Sequence, residues 1–107
     1  MDIKVSDSQG SPNAEVPTLE RKVRIRNRYG LHGRPTTMFV NLARQFSSDV
    51  KVCRDGDPEE VDGKSAIAIL SLGLERGGVL RITTRGLDAD AAMNALANLV
   101  RSNFSEE

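Results

Sequence analysis

Leu19 to Phe46 reads LERKVRIRNRYGLHGRPTTMFVNLARQF, and the way this stretch divides decides the fold. In its first part Leu19, Val23 and Ile25 fall on one side of a period-two pattern and Lys22, Arg24 and Arg26 on the other, as a half-buried strand requires. After the turn Asn27-Arg28-Tyr29-Gly30 the period lengthens. Phe39, Leu42, Ala43 and Phe46 repeat at i, i+3, i+4 and i+7, which places one apolar stripe on an amphipathic helix. Pro35 suits the first turn of that helix, where a missing N–H costs nothing.

Toward the carboxyl end the same two periods alternate. Val50 and Val52 alternate with Lys51 and Cys53, and the run meets the turn cluster Asp55-Gly56-Asp57-Pro58 before a short returning strand near Glu60-Val61. Ser65 is placed to cap a short helix over Ala66 to Leu72, with Gly73 placed to stop it. Leu80 and Ile82 alternate with Val79, Arg81 and Thr83 between Gly77-Gly78 and Gly86. Asp88 then stands as the cap of a helix on which Ala89, Ala92, Met93, Leu96 and Val100 recur. Toward the amino end, residues 1–18 scatter Ser6, Ser8, Gly10, Ser11, Pro12 and Pro17 among charges without either period, and read as a flexible tail before a domain over 19–107.

The order is βαββαβα. With the helices on one sheet face, the expected architecture is an open-faced α/β sandwich, a four-stranded antiparallel sheet whose other face is left to solvent and to Lys22, Arg24 and Arg26. At 107 residues, one domain is expected. Without Trp, and with one Tyr and three Phe, its core must rest on Val, Ile, Leu, Ala and Met.

Fifteen Lys and Arg balance fifteen Asp and Glu, which argues against a globally basic nucleic-acid binder. A single cysteine, Cys53, excludes an internal disulfide and a thiolate zinc cage. No apolar run approaches the roughly 18 residues of a membrane span, so a cytoplasmic protein with no membrane insertion is expected.

The one histidine, His32, lies in Gly30-Leu31-His32-Gly33-Arg34-Pro35, directly before the apolar helix. A helix start offers unpaired N–H groups and the positive end of the dipole, so an anion on or beside residue 32 would be stabilised. Arg34 adds a guanidinium fork suited to phosphate oxygens. Imidazole titrates near neutrality, and its neutral form is a nucleophile. Spacing alone is better met by a surface or capping histidine. Between Arg21 and Arg34 there are six cations and no acid, which suits either a solvated sheet face or a positive field around His32. Stacking aromatics are limited there to Tyr29, which disfavours RNA binding.

Pro58 to Ser65 ends in Gly-Lys-Ser but is no phosphate-binding P-loop. Its first position is Pro, and Glu59, Glu60 and Asp62 would repel phosphates. Ser65 is therefore a helix cap, and one where added phosphate would sit at a dipole end and alter the adjacent surface.

Gly30-Leu31-His32-Gly33-Arg34-Pro35, then Phe39-Val40 and Ala43-Phe46, then Gly63-Lys64-Ser65 and Leu70-Ser71-Leu72-Gly73, closely resemble the histidine-containing phosphocarrier family HPr of the phosphoenolpyruvate-dependent sugar phosphotransferase system. The resemblance runs from about residue 20 to 104. It implies a carrier rather than a free-standing catalyst, without cofactor or metal and monomeric, in which His32 accepts a phosphoryl group on Nδ1 from phosphorylated enzyme I and passes it to an enzyme IIA protein or domain. By the same resemblance Arg34 stabilises the phosphate, Ser65 is the regulatory serine of an HPr kinase/phosphorylase, and Leu31, Ile67 and Leu70 contribute to the partner surface. The alternative is a regulatory binding module governed by Ser65 without phosphate relay. The chain departs from the family at Gly33, where alanine is usual. A glycine there would loosen the first helical turn.

Overall fold

The computed structural model describes residues 16–105. Residues 1–15, which carry most of the tail expected over 1–18, lie outside the described residues. The elements follow as β1 (Thr18–Arg24), α1 (Arg34–Ala43), β2 (Asp49–Arg54), β3 (Val61–Asp62), α2 (Ala66–Leu70), β4 (Val79–Arg85) and α3 (Ala89–Arg101). The strands form one antiparallel sheet in the order β1-β4-β2-β3, so β1 is an edge and β4 and β2 lie at the centre. This is the open-faced sandwich that the alternating periods predict.

Register explains the core. Val23 stands opposite Leu80, and Ile82 stands opposite Val52, so one face of the sheet presents a continuous aliphatic layer. Phe39, Val40 and Ala43 of α1, Ile69 of α2 and Ala92, Met93, Leu96 and Val100 of α3 close on that layer and are all buried. Both long helices thus bury the stripe that the 3.6 period assigns them. No helix among the described residues is long and apolar enough to cross a membrane.

The helices end earlier than their patterns suggest. α1 stops at Ala43 rather than reaching Phe46, because the Gln45 and Phe46 N–H groups donate to the carbonyls three residues back, Leu42 and Ala43, and the chain tightens out of the α-helix. Phe46 is left half-buried in the turn. α2 ends at Leu70 rather than Leu72 for the same reason, with Leu72 and Gly73 bonding to Ile69 and Leu70. Arg54 Nη1 then donates to the Leu72 carbonyl at 2.9 Å.

The expectation that Asp88 caps α3 with its side chain is corrected. It occupies the N-cap position, but its carboxylate makes no cap bond. The side chain instead reaches back about forty residues along the chain, accepting from the Ser47 N–H and the Ser48 N–H, each at 2.9 Å, and from the Ser48 hydroxyl. Those donors, the Ser48 hydroxyl first, hold its carboxyl at about 2 against an ordinary 3.8. A carboxyl whose folded pKa is depressed stabilises the fold above its unfolded pKa, and that stability is lost as pH falls toward the folded value. Wild-type melting temperature is therefore expected to drop between about pH 4 and pH 2 partly through Asp88. In Asp88→Asn, thermal melts should start lower at pH 7 and show a shallower fall across that window.

The outer sheet face is not wholly solvated, contrary to expectation. Cys53 is fully buried there opposite Arg81, because Arg81 Nη2 donates to the Asp57 carbonyl at 3.2 Å and so ties the β2–β3 loop across that side. Burial raises the Cys53 thiol above its ordinary value, with Arg81 opposing.

Candidate functional site

Beyond β1 the chain is fastened at each step toward His32. The Ile25 N–H donates to the Gly78 carbonyl at 2.8 Å, and its own carbonyl accepts from Gly77 at 2.7 Å. Asn27, almost fully buried, donates from Nδ2 to the Gly30 carbonyl at 2.8 Å and closes the turn. Gly30 has φ 70, and a Cβ there would lie 2.7 Å from both the Glu75 Cα and the Leu74 carbonyl oxygen. Only glycine lets the two loops approach this closely. The Leu31 N–H then donates to the Leu74 carbonyl at 2.9 Å while its side chain enters the core.

Leu31 therefore cannot contribute to a partner surface, as the family resemblance implied. It is 1% exposed and anchors the loop from within. His32, one residue on, is exposed, as are Gly33 and Arg34. The alternation is mechanical: burying Leu31 turns the next side chain outward.

Gly33 is the N-cap of α1, with φ 54 and ψ −125. The expectation that it loosens the first turn is corrected, since it lies outside the helix in a conformation that L-residues rarely adopt. A Cβ would meet nothing within 4 Å, so the penalty for any other residue is conformational alone. Gly33→Ala is expected to lower stability by about 1–3 kcal/mol, read as a lower urea midpoint with unchanged slope.

No side chain caps α1, and its first turn holds no acid. Pro35 removes one N–H, while the Thr37 N–H bonds back to the Gly33 carbonyl at 3.2 Å. The leading N–H groups of Arg34 and Thr36 have no carbonyl within the helix to bond. Thr36, buried in this turn, has a hydroxyl without a hydrogen-bond partner among the described residues, a feature that apolar periodicity does not reveal. The arrangement is an exposed imidazole nucleophile next to a helix N-terminus and a guanidinium, with no carboxylate in the turn to repel an anion.

Ser65 caps α2 as expected, its Oγ accepting from the Ala68 N–H at 3.2 Å. The segment before it is held by Gly63 N–H to the Val50 carbonyl at 2.7 Å and by Lys64 Nζ to the Phe46 carbonyl at 2.8 Å. Arg44 Nε of the α1 end donates to the Lys64 carbonyl at 3.1 Å, so the segment leading into Ser65 is tied to α1. Sequence reasoning missed both cations, whose partners are backbone carbonyls remote in sequence. Ile67 is 82% exposed and Leu70 44%, an apolar pair on a short helix packed beside α1. Among the described residues no group of three or more His, Cys, Asp and Glu side chains could hold a metal.

A family model described as the PTS HPr component phosphorylation site matches residues 19–102. The phosphocarrier protein HPr of Pseudomonas aeruginosa is 39% identical over 92 residues, covering 85% of this chain and 98% of that protein. The multiphosphoryl transfer protein of Escherichia coli O157:H7 is 36% identical over 100 residues; the match covers 92% of this chain but only 26% of that longer protein. Among solved structures, HPr from Thermoanaerobacter tengcongensis superposes with a TM-score of 0.78 at 39% identity, over 83% of this chain and 98% of the other.

Proposed function

Since the chain belongs to the HPr family of phosphocarriers of the phosphotransferase system, we propose that its carrier residue is His32, charged by phosphorylated enzyme I and discharged to an enzyme IIA protein or domain. The supporting observation is the exposed His32 at the uncapped start of α1, with Arg34 as the first helical residue. In the neutral Nε2–H tautomer the Nδ1 lone pair attacks phosphorus. An N–P bond forms as the donor's bond to phosphorus breaks, and the donor leaves with that electron pair. The phosphoryl dianion is then stabilised by the leading N–H groups of α1, the helix dipole and the Arg34 guanidinium. Discharge is the reverse attack by the acceptor, so the carrier is regenerated and no substrate is turned over on it.

Ile67 and Leu70 are proposed as apolar contacts for those partners, with Ser65, the cap of the same helix, as the site of regulatory phosphorylation by an HPr kinase/phosphorylase. A phosphate on Ser65 would occupy the cap position while placing about two negative charges at the edge of the apolar pair. Aspartate is also a good N-cap, so Ser65→Asp keeps the helix and adds charge alone. It is expected to slow phosphorylation of His32 by enzyme I roughly fivefold to tenfold, as a like charge at a docking rim alters association. Stopped-flow transfer rates at two ionic strengths check this, and the deficit should shrink at high salt.

The relay is tested by incubating the protein with enzyme I, magnesium and labelled phosphoenolpyruvate, then adding an enzyme IIA. Label should appear on the protein and move to the acceptor. Label that enters but cannot leave would contradict a carrier role.

A further inference from the structure

Four cations of this charge-balanced chain gather around one groove. It has a volume of about 350 Å³ and is lined by Lys22, Val23, Arg24, Arg26 and Arg101, with neither His32 nor Arg34 among them. None of its lining residues is acidic. As the net charge is zero, the clustering is a local arrangement and not a by-product of overall basicity.

The cations differ in how they are engaged. Lys22 pairs with Asp55 at 3.2 Å, and Arg24 Nη1 donates to the Gly77 carbonyl at 2.7 Å. Neither Arg26 nor Arg101 has a side-chain partner among the described residues. Arg101 lies in the last turn of α3, where a cation favours the helix dipole. That accounts for one charge but not for the convergence of Arg26 and the β1 side chains on the same space, which carries a cost in mutual repulsion.

The groove also has backbone donors. Among the described residues β1 is an edge strand, paired only with β4. Because Ile25 turns both its N–H and its carbonyl toward Gly77 and Gly78, the two-residue alternation turns those of Lys22 and Arg24 to the open edge. Unpaired edge groups invite a further strand, yet Arg21, Lys22, Arg24 and Arg26 would set like charges against a second copy of β1. An anion is the occupant that meets the side chains and the N–H groups together.

We propose that this groove binds a small polyanion bearing two or more phosphoryl groups. Its volume is that of a small-molecule site, and guanidinium forks match phosphate oxygens. Arg26 and Arg101 take one phosphoryl group from the open side. Lys22 and Arg24, with the edge N–H groups, take another.

Inorganic tripolyphosphate is the probe, titrated into the full-length protein by calorimetry and followed by backbone amide shifts. Saturable binding is expected, with shifts at residues 22–26 and 98–101. Arg26→Gln is expected to weaken binding at least tenfold, and Arg26→Gln/Arg101→Gln further, at a thermal midpoint close to wild type. Should the double variant unfold, the single Arg26→Gln decides. Unchanged affinity in Arg26→Gln, shifts confined to residues 32–37, non-saturating binding, or tighter binding of a hexaglutamate peptide than of tripolyphosphate would each overturn the proposal.

Discussion

His32→Ala is expected to abolish acid-labile phosphorylation by enzyme I and phosphoenolpyruvate, with labelling at least about 10⁴-fold below wild type, since losing a nucleophile removes the covalent route entirely. The fold should be unaffected. His32 is exposed and, among the described residues, makes no hydrogen bond that the loop depends on; the loop is held by Asn27, Gly30 and Leu31 through contacts just before it. A normal melting curve with no label would therefore assign the loss to chemistry. Arg34→Gln provides the contrast. It leaves the nucleophile and the helix N–H groups in place and removes one charged donor, so transfer should persist but slow by about 10²-fold. If Arg34→Gln were as inactive as His32→Ala, the helix N-terminus would be contributing far less than the geometry implies.

The second large effect is on stability. Phe104 is 1% exposed and follows α3 in a turn where Asn103, Phe104 and Ser105 have φ of 56, 57 and 61. Consecutive left-handed residues cost about 1–2 kcal/mol each. They persist here because this turn is what carries the Phe104 ring into the buried cluster with Leu96 and Val100. Truncating a buried Phe to Ala costs about 3–5 kcal/mol. Release of the left-handed turn offsets part of that, so Phe104→Ala should lose about 3 kcal/mol, a large fraction of the 5–15 kcal/mol typical of a small domain. Chemical denaturation would show it as a lower midpoint. A change under 1 kcal/mol would mean that the ring is not integral to the core.

Which parts of this molecule were legible from sequence follows from the range of the forces involved. β1, β4 and the buried stripes of α1 and α3 are set by local alternation against a single core, and the period-two and 3.6 patterns carry that directly. The Ser65 cap is a bond over three residues and was equally readable. The readings that failed depend on contacts remote in sequence. Cys53 alternates onto the outer face as its position dictates, but its burial comes from Arg81 and the Asp57 carbonyl closing a loop over it. Asp88 has the position of a cap, and two serines about forty residues earlier claim its carboxylate. Leu31 is adjacent to an exposed histidine, and its burial depends on the Leu74 loop, remote in sequence, to which its backbone N–H is bonded. Gly33 looked like a weak helix residue because helix propensity assumes a residue inside the helix, whereas its positive φ places it just before the start. At the site itself, sequence supplied the residue types and their order. The fastening of the loop by Gly30 against Leu74 and Glu75 had no local signature beyond a glycine in a turn.

Whether His32 carries the phosphate is decided by phosphorus and nitrogen NMR of the full-length protein after reaction with enzyme I, magnesium and phosphoenolpyruvate. One acid-labile phosphoryl group per chain is expected, with phosphorus coupled to Nδ1 of His32 and amide shifts centred on residues 32–37. An enzyme I that charges another HPr but leaves His32 unmodified, or a product that is acid-stable and located on a hydroxyl, would contradict a carrier role for His32.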